Sequence, residues 1–95
     1  MPIYLVERYL AGIDREQLSA LPERLAAAAR QLRAGGVDVA YLDSTFLPED
    51  EYCFCRFESP SAHATELANR IAGIPYARIS AAVSLDPGAP GPDAP

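Results

Sequence analysis

The stretch VDVAYLDSTFLPEDEYCFCRFE, residues 37–58, decides the fold that we predict for this chain. The first half is rich in β-branched and aromatic residues and the second in aromatic residues, all of which favour strands, and the two are separated by a polar turn of Pro48, Glu49 and Asp50. We therefore predict two consecutive strands, 37–47 and 51–58, joined as an antiparallel hairpin with no helix between them. In the first of these, simple alternation predicts Tyr41 on one face and Phe46 on the other.

A helical pattern lies on each side of this hairpin. The first helix stops at Gly35-Gly36, and the second begins at Ser59-Pro60, a hydroxyl N-cap followed by proline at the first helical position, and ends at Gly73. The apolar stripes at helical spacing are Leu21, Leu25, Ala28 and Leu32 in the first helix and Ala64, Leu67, Ala68 and Ile71 in the second. One helix before the hairpin and one after it indicate a mixed α+β domain.

The start of the first helix has two candidates. Asp14 and Gln17, three residues apart, form a capping pair, whereas Ser19 would place Pro22 in the first helical turn, where its missing N–H costs nothing. Both starts remain open at the level of sequence.

Outer strands complete the pattern at residues 3–10 and 78–85. The order strand-helix-strand-strand-helix-strand predicts a ferredoxin-like βαββαβ domain, one antiparallel sheet with two helices on one face. We place this domain at residues 1–86 and interpret residues 87–95, all proline, glycine, alanine and aspartate, as a disordered tail.

Composition bounds the partners. Hydrophobic residues make up 49% of a chain of 95 residues, and two helices cover only one sheet face, so we expect a homodimer in the form of a dimeric α+β barrel. A net charge of −5 argues against nucleic acid as a partner, and no apolar run is long enough to cross a membrane. Glu7 and Arg8 interrupt the apolar opening, which is unlike a secretion signal, and we expect a cytoplasmic protein.

Charged residues within the predicted strands are the first functional candidates. One interpretation is structural: a cross-strand ion pair of Glu7 with Arg56, or of Arg8 with Glu58. The other is a polar cluster that lines a ligand pocket on the open sheet face together with tyrosine rings. Because neighbouring strand residues point to opposite faces, only one of Glu7 and Arg8 can face the open side. The candidate ligand-binding residues are Glu7, Arg8, Tyr41, Tyr52 and Arg56.

Two cysteines and one histidine are the weak candidates for a metal site. Sulfur and imidazole suit zinc, nickel or copper, but Cys53-x-Cys55 is not the spacing of a zinc knuckle, and His63 lies on a separate predicted helix. On one strand face the two cysteines lie too far apart for an ordinary disulfide, so we predict free thiols. We predict no cofactor and no firm metal ligand.

Four short segments of the chain resemble a bacterial family of unknown function, the nickel-binding-protein-like family. They are MPIYLVER at 1–8, EYCFC at 51–55, ESPS at 58–61 and GIPYARI at 73–79, and the resemblance covers residues 1–86. It implies a ferredoxin-like fold that pairs into a dimer, and nickel as the metal if one binds. Nickel-binding members are expected to use several histidines, whereas this chain has only His63.

Three functions follow as hypotheses. The first is a cytoplasmic homodimeric protein that holds a small ligand on the open sheet face. The second is a small dimeric-barrel enzyme, an isomerase, cyclase or cofactor-free oxygenase, with Glu7, Arg56 or a tyrosine as acid or base. The third is a metal-binding protein that uses His63 with thiols or carboxylates.

Overall fold

The computed structural model describes residues 1–88, and within them the elements follow the predicted order. The strands are β1 (Ile3–Tyr9), β2 (Ala40–Leu47), β3 (Tyr52–Glu58) and β4 (Arg78–Ala82), and the helices are α1 (Arg15–Ala34) and α2 (Ala62–Ala72). Of the predicted tail, 87–95, only Pro87 and Gly88 belong to the described part, where they form an exposed turn; residues 89–95 lie outside the described residues.

The strands form one antiparallel sheet in the order β2-β3-β1-β4. Both helices pack on the same face of this sheet, so the predicted ferredoxin-like α+β fold is confirmed. The core between helices and sheet consists of Val6, Leu21, Leu25, Ala29, Val39, Cys53, Cys55, Phe57, Ala68 and Ile74.

Alternation along β3 separates the two faces of the sheet. Cys53, Cys55 and Phe57 are fully buried under the helices, whereas Phe54 and Arg56 point the other way and are partly exposed. We call these the helix face and the open face. Apart from the two ion pairs described below, the centre of the open face is apolar, with partly exposed side chains of Ile3, Leu5, Tyr52 and Phe54.

Strand β2 differs from its predicted form at its start and in its faces. The backbone N–H of Val37 donates to Leu32 O at 2.9 Å, so the chain is still completing the end of α1, and the strand begins at Ala40 rather than at residue 37. A register shift between Tyr41 and Asp43 forms a β-bulge. The extra residue brings Tyr41 and Phe46 onto the same face, where both pack against the core, so the prediction of opposite faces is wrong.

Both helices begin with side-chain caps. In α1 the Gln17 N–H donates to Asp14 Oδ1 at 2.7 Å and the Asp14 N–H donates to Gln17 Oε1 at 3.3 Å, so the capping pair marks the start and Pro22 lies inside the helix instead of in its first turn. In α2 the cap is Ser61, whose hydroxyl accepts from the Ala64 N–H at 3.1 Å, two residues after the predicted Ser59.

Three strand ends also differ from their predicted positions. Strand β1 ends at Tyr9 and β3 begins at Tyr52, one residue inside the predicted limits, and Glu51 at the turn has a positive φ of 53°. Strand β4 ends at Ala82, which leaves Val83 and Leu85 exposed beyond the sheet.

Candidate functional site

The five candidate ligand-binding residues do not share one surface. Glu7, Tyr52 and Arg56 lie on the open face, whereas Arg8 and Tyr41 lie on the helix face. The structure therefore divides the predicted set into three residues on the open face and two on the helix face, of which Arg8 is fully buried and Tyr41 partly buried.

Two ion pairs occupy the open face. The Glu7 carboxylate accepts a hydrogen bond from Arg78 Nε on β4, and the Tyr52 hydroxyl lies 3.5 Å from its other oxygen. Arg56 donates to both carboxylate oxygens of Asp43, at 2.8 and 2.6 Å. These hydrogen bonds from Arg56 hold the pKa of Asp43 below its usual value. Glu7 on β1 and Arg56 on β3 are thus each paired with an opposite charge on an edge strand.

The ion pairs predicted from sequence were Glu7 with Arg56 and Arg8 with Glu58, and both predictions are wrong. In the register of the sheet, Glu7 lies directly opposite Arg78, the nearest cation on its face. Arg8 points to the helix face and cannot meet Glu58 on the open one.

Arg8 is the largest fully buried side chain of the described residues, at 0% exposure. One terminal nitrogen donates to the backbone oxygen of Ile74 at 3.3 Å, the other donates to the side-chain oxygen of Asn69, and Nε has no partner. Asn69 is held in turn by its own amide, which donates to Thr65 O at 2.8 Å. Sequence analysis missed Asn69, although its place beside Ala68 on the inner side of α2 was available as a signal.

The two cysteines lie beside Arg8 in the core and are free thiols, as predicted. Their sulfur atoms are 3.8 Å apart. The Ser44 hydroxyl donates to Cys55 Sγ at 3.0 Å and lies 2.6 Å from the Tyr41 hydroxyl. A continuous polar chain therefore runs from the edge strand β2 to the thiols in the centre of the sheet.

The two thiols differ in acidity because they share one hydrogen bond. The Cys53 thiol, as donor, lowers the pKa of Cys55 to about 6, and the Ser44 hydroxyl and the Arg8 cation act in the same direction against the effect of burial. The same interaction, together with burial, raises the pKa of Cys53. Burial also raises the pKa of Tyr41.

His63 lies apart from the thiols. Its side chain is 75% exposed in the first turn of α2, and its Nδ1 is 3.9 Å from Glu66 Oε1. Glu66 also accepts from the Tyr76 hydroxyl at 3.2 Å and lies 3.3 Å from Arg70, and this hydroxyl's pKa is raised by burial and by the carboxylate. The three weak metal candidates, His63, Cys53 and Cys55, are therefore not brought together.

Two cavities lie away from the candidates on the open face. One of about 380 Å³ lies between the end of β1, the first half of α1 and the α2–β4 connection, with Leu10, Ile13, Leu21, Arg24 and Ile74 in its wall. Another, of about 390 Å³, is a shallow depression beside His63, Glu66, Tyr76 and Ile79. Neither contains any of the five predicted ligand-binding residues.

Residues 4–81 match the family described as "Nickel responsive protein SCO4226-like". The chain belongs to this family. The crystal structure of SCO4226 from Streptomyces coelicolor A3(2) is similar, with a TM-score of 0.71 and 21% identity over 88% of this chain and 98% of that one. At this identity the likeness shows the shared fold. No curated protein matches the sequence. The family resemblance seen in the sequence is confirmed.

The name of the SCO4226-like family refers to nickel. The side chains of this chain can therefore be compared with the ligands that a nickel ion needs. Across residues 1–88, no three His, Cys, Asp or Glu side chains are grouped closely enough to hold a metal ion. His63 and Glu66 form an exposed pair, and the cysteines form a buried pair with a cation beside it. Within one chain, these donor sets do not fit a nickel site. Neither described helix is long and apolar enough to cross a membrane.

Proposed function

We infer that this SCO4226-like protein is a cytoplasmic homodimer that binds a small ligand between two facing sheets. The observation that carries the inference is the open face: both helices cover the opposite side, and partly exposed Leu5, Tyr52 and Phe54 remain between the two ion pairs. An apolar surface of this kind is typical of an interface. Buried free thiols fit a reducing compartment, which supports the cytoplasmic part of the proposal.

The charges of the open face suit a second copy of the same chain. Glu7 and Asp43 are balanced by Arg78 and Arg56, so the face carries no net charge from these four residues. A two-fold axis brings the same surface of both copies together, and mixed charges can then meet their opposites across the interface. Because both ion pairs already form within one chain, these charges need no ligand, and dimerisation has the more direct support.

We expect light scattering at micromolar concentration to report twice the mass of one chain. Leu5→Arg, which places a cation in the centre of the open face close to Arg56, is expected to convert the dimer to a folded monomer. The matched control is Ala20→Arg on the exposed side of α1, which should remain dimeric. Circular dichroism verifies the fold of both variants. A monomeric wild type would remove the shared interface and with it the proposed site.

The ligand half of the proposal uses the same pair of variants. In a thermal-shift panel of small organic acids and aromatic compounds, a compound held between the sheets raises Tm of the wild type and of Ala20→Arg but leaves Leu5→Arg unchanged. An equal shift in the Leu5→Arg monomer would place the ligand elsewhere, for which the cavity beside Arg24 is the candidate.

For nickel we expect no stoichiometric binding at sub-micromolar concentration in calorimetric titration of the untagged, metal-free protein. The described side chains offer one imidazole with one neighbouring carboxylate, and two ligands hold a divalent ion weakly. His63→Ala is the control and should give the same weak heat. Tight one-to-one binding that disappears in His63→Ala would contradict this expectation and favour the metal-binding hypothesis.

A further inference from the structure

Two hydrogen-bond donors and one cation surround the sulfur atom of Cys55 beneath the helices. The Ser44 hydroxyl donates to Cys55 Sγ at 3.0 Å, and the Cys53 sulfur lies 3.8 Å from the same atom. Arg8, fully buried on the same face of the sheet, supplies the cation. Groups of this kind favour the charged form of a thiol. They lower the pKa of Cys55 to about 6, with the hydrogen bond from Cys53 as the largest cause, although burial alone would raise it.

The Cys55 thiolate gives Arg8 the counter-ion that this side chain otherwise lacks. In the described part of the chain no carboxylate forms an ion pair with Arg8, and its buried Nε has no hydrogen-bond partner. A guanidinium ion removed from water is costly unless a negative charge compensates it. Neither helix buries a charged side chain beside the thiols, since α1 buries apolar residues and α2 adds the neutral Thr65 and Asn69. Burial raises the pKa of Tyr41, so this hydroxyl is also uncharged at neutral pH.

We propose that Cys55 is a site of oxidation by hydrogen peroxide, with its thiolate as the nucleophile and Arg8 as the cation that stabilises it. The sulfur attacks one oxygen of the peroxide, so that an S–O bond forms as the O–O bond breaks. Sulfur gives two electrons to the peroxide and becomes a sulfenic acid, and the other oxygen leaves as hydroxide, which takes a proton to form water. Negative charge passes from sulfur to the leaving oxygen in this step, and a buried cation beside both atoms favours the transfer.

The β2 edge of the sheet offers the route for a molecule as small as hydrogen peroxide. Ser44 is partly exposed on this edge strand, and its hydroxyl touches Cys55 Sγ. One side chain therefore separates the sulfur from the surface. The Tyr41 hydroxyl, 2.6 Å from that of Ser44, adds a second polar group along the same path. Cys53 does not share the role, because its pKa is raised and a protonated thiol is a poor nucleophile.

The first test compares oxidation of the folded wild type with that of the same chain unfolded in urea. Mass spectrometry follows the loss of reduced Cys55 after catalase has removed the peroxide. Unfolded cysteines have a pKa near 8.5, so their rate should rise about tenfold per pH unit between pH 6 and 8. The rate of folded Cys55 should rise only about twofold over this range, and at pH 6 it should exceed the unfolded rate about tenfold. A folded protein that oxidises no faster than the unfolded chain at pH 6 would overturn the proposal.

Single-cysteine variants assign the oxidised sulfur. Cys53→Ser keeps a hydroxyl donor beside Cys55, and after peroxide treatment at pH 7 and quenching in denaturant it should add dimedone, which traps sulfenic acids. The matched control, Cys55→Ser, should remain unlabelled, and equal labelling of the two variants would contradict the assignment. Adding Arg8→Met to Cys53→Ser should raise the pH of half-maximal oxidation by at least one unit, and an unchanged midpoint would remove Arg8 from the site. Should the Arg8 variant not fold, the comparison of folded and unfolded wild type still decides the proposal.

Discussion

Phe57→Ala is expected to lower the free energy of unfolding by about 3–5 kcal/mol. Phe57 is fully buried on β3, where its ring packs edge-on against Tyr41 with ring centres 5.5 Å apart. Phe57 belongs to the core cluster that joins the sheet to both helices, and a close-packed core of this kind closes such a cavity only in part. The free energy of unfolding of a domain is about 5–15 kcal/mol in total, so the variant should retain little stability.

Urea denaturation followed by circular dichroism measures this loss. Leu42→Ala, in the bulge of β2, is the matched control: its side chain is 39% exposed, and we expect a change below about 1 kcal/mol. In thermal unfolding the Phe57 variant should melt about 15–30 °C below the wild type. A loss no larger than that of Leu42→Ala would mean that Phe57 is not at the centre of the core.

Asn69→Leu is expected to cost about 2–3 kcal/mol, the second largest effect. Leucine has a similar volume, so the loss is electrostatic: the side-chain oxygen that accepts from buried Arg8 disappears, and a charged donor is left without a partner. The Asn69 amide also loses its bond to Thr65 O. Equilibrium unfolding in urea at neutral pH, on the reduced and metal-free protein, gives the change directly.

A double-mutant cycle separates this effect from packing. Arg8→Met alone removes the cation and leaves the Asn69 oxygen unpaired, and Arg8→Met with Asn69→Leu removes both partners. We expect the double variant to be more stable than the sum of the two single losses predicts, by at least 1 kcal/mol, because no buried charge remains. Strict additivity would show that Arg8 and Asn69 do not depend on each other.

Much of the fold is encoded in short segments of the sequence. The capping pair of Asp14 and Gln17 starts α1, and Gly73, with a φ of 70°, ends α2 at the predicted residue. Periodicity alone placed Cys53 and Cys55 on one face of β3. These features depend on neighbours within four residues, which is why sequence reasoning reaches them.

The site depended on contacts between distant segments. Alternation showed that the side chains of Glu7 and Arg8 must point to opposite faces of the sheet. Only the contacts with Asn69 and Ile74 decided that the longer, cationic side chain of Arg8 is the one buried under the helices. The partner of Glu7 came from the strand pairing across 71 residues that brings Arg78 opposite it.

A single extra residue in β2 had the same kind of effect. The bulge orients Tyr41 and Ser44 toward the thiols, and no local sequence pattern predicted this bulge. The sequence by itself therefore determined the elements, their order and the family. The tertiary structure decided which charges are buried and what they touch, because the register between strands and the space beneath the helices are properties of the assembled sheet.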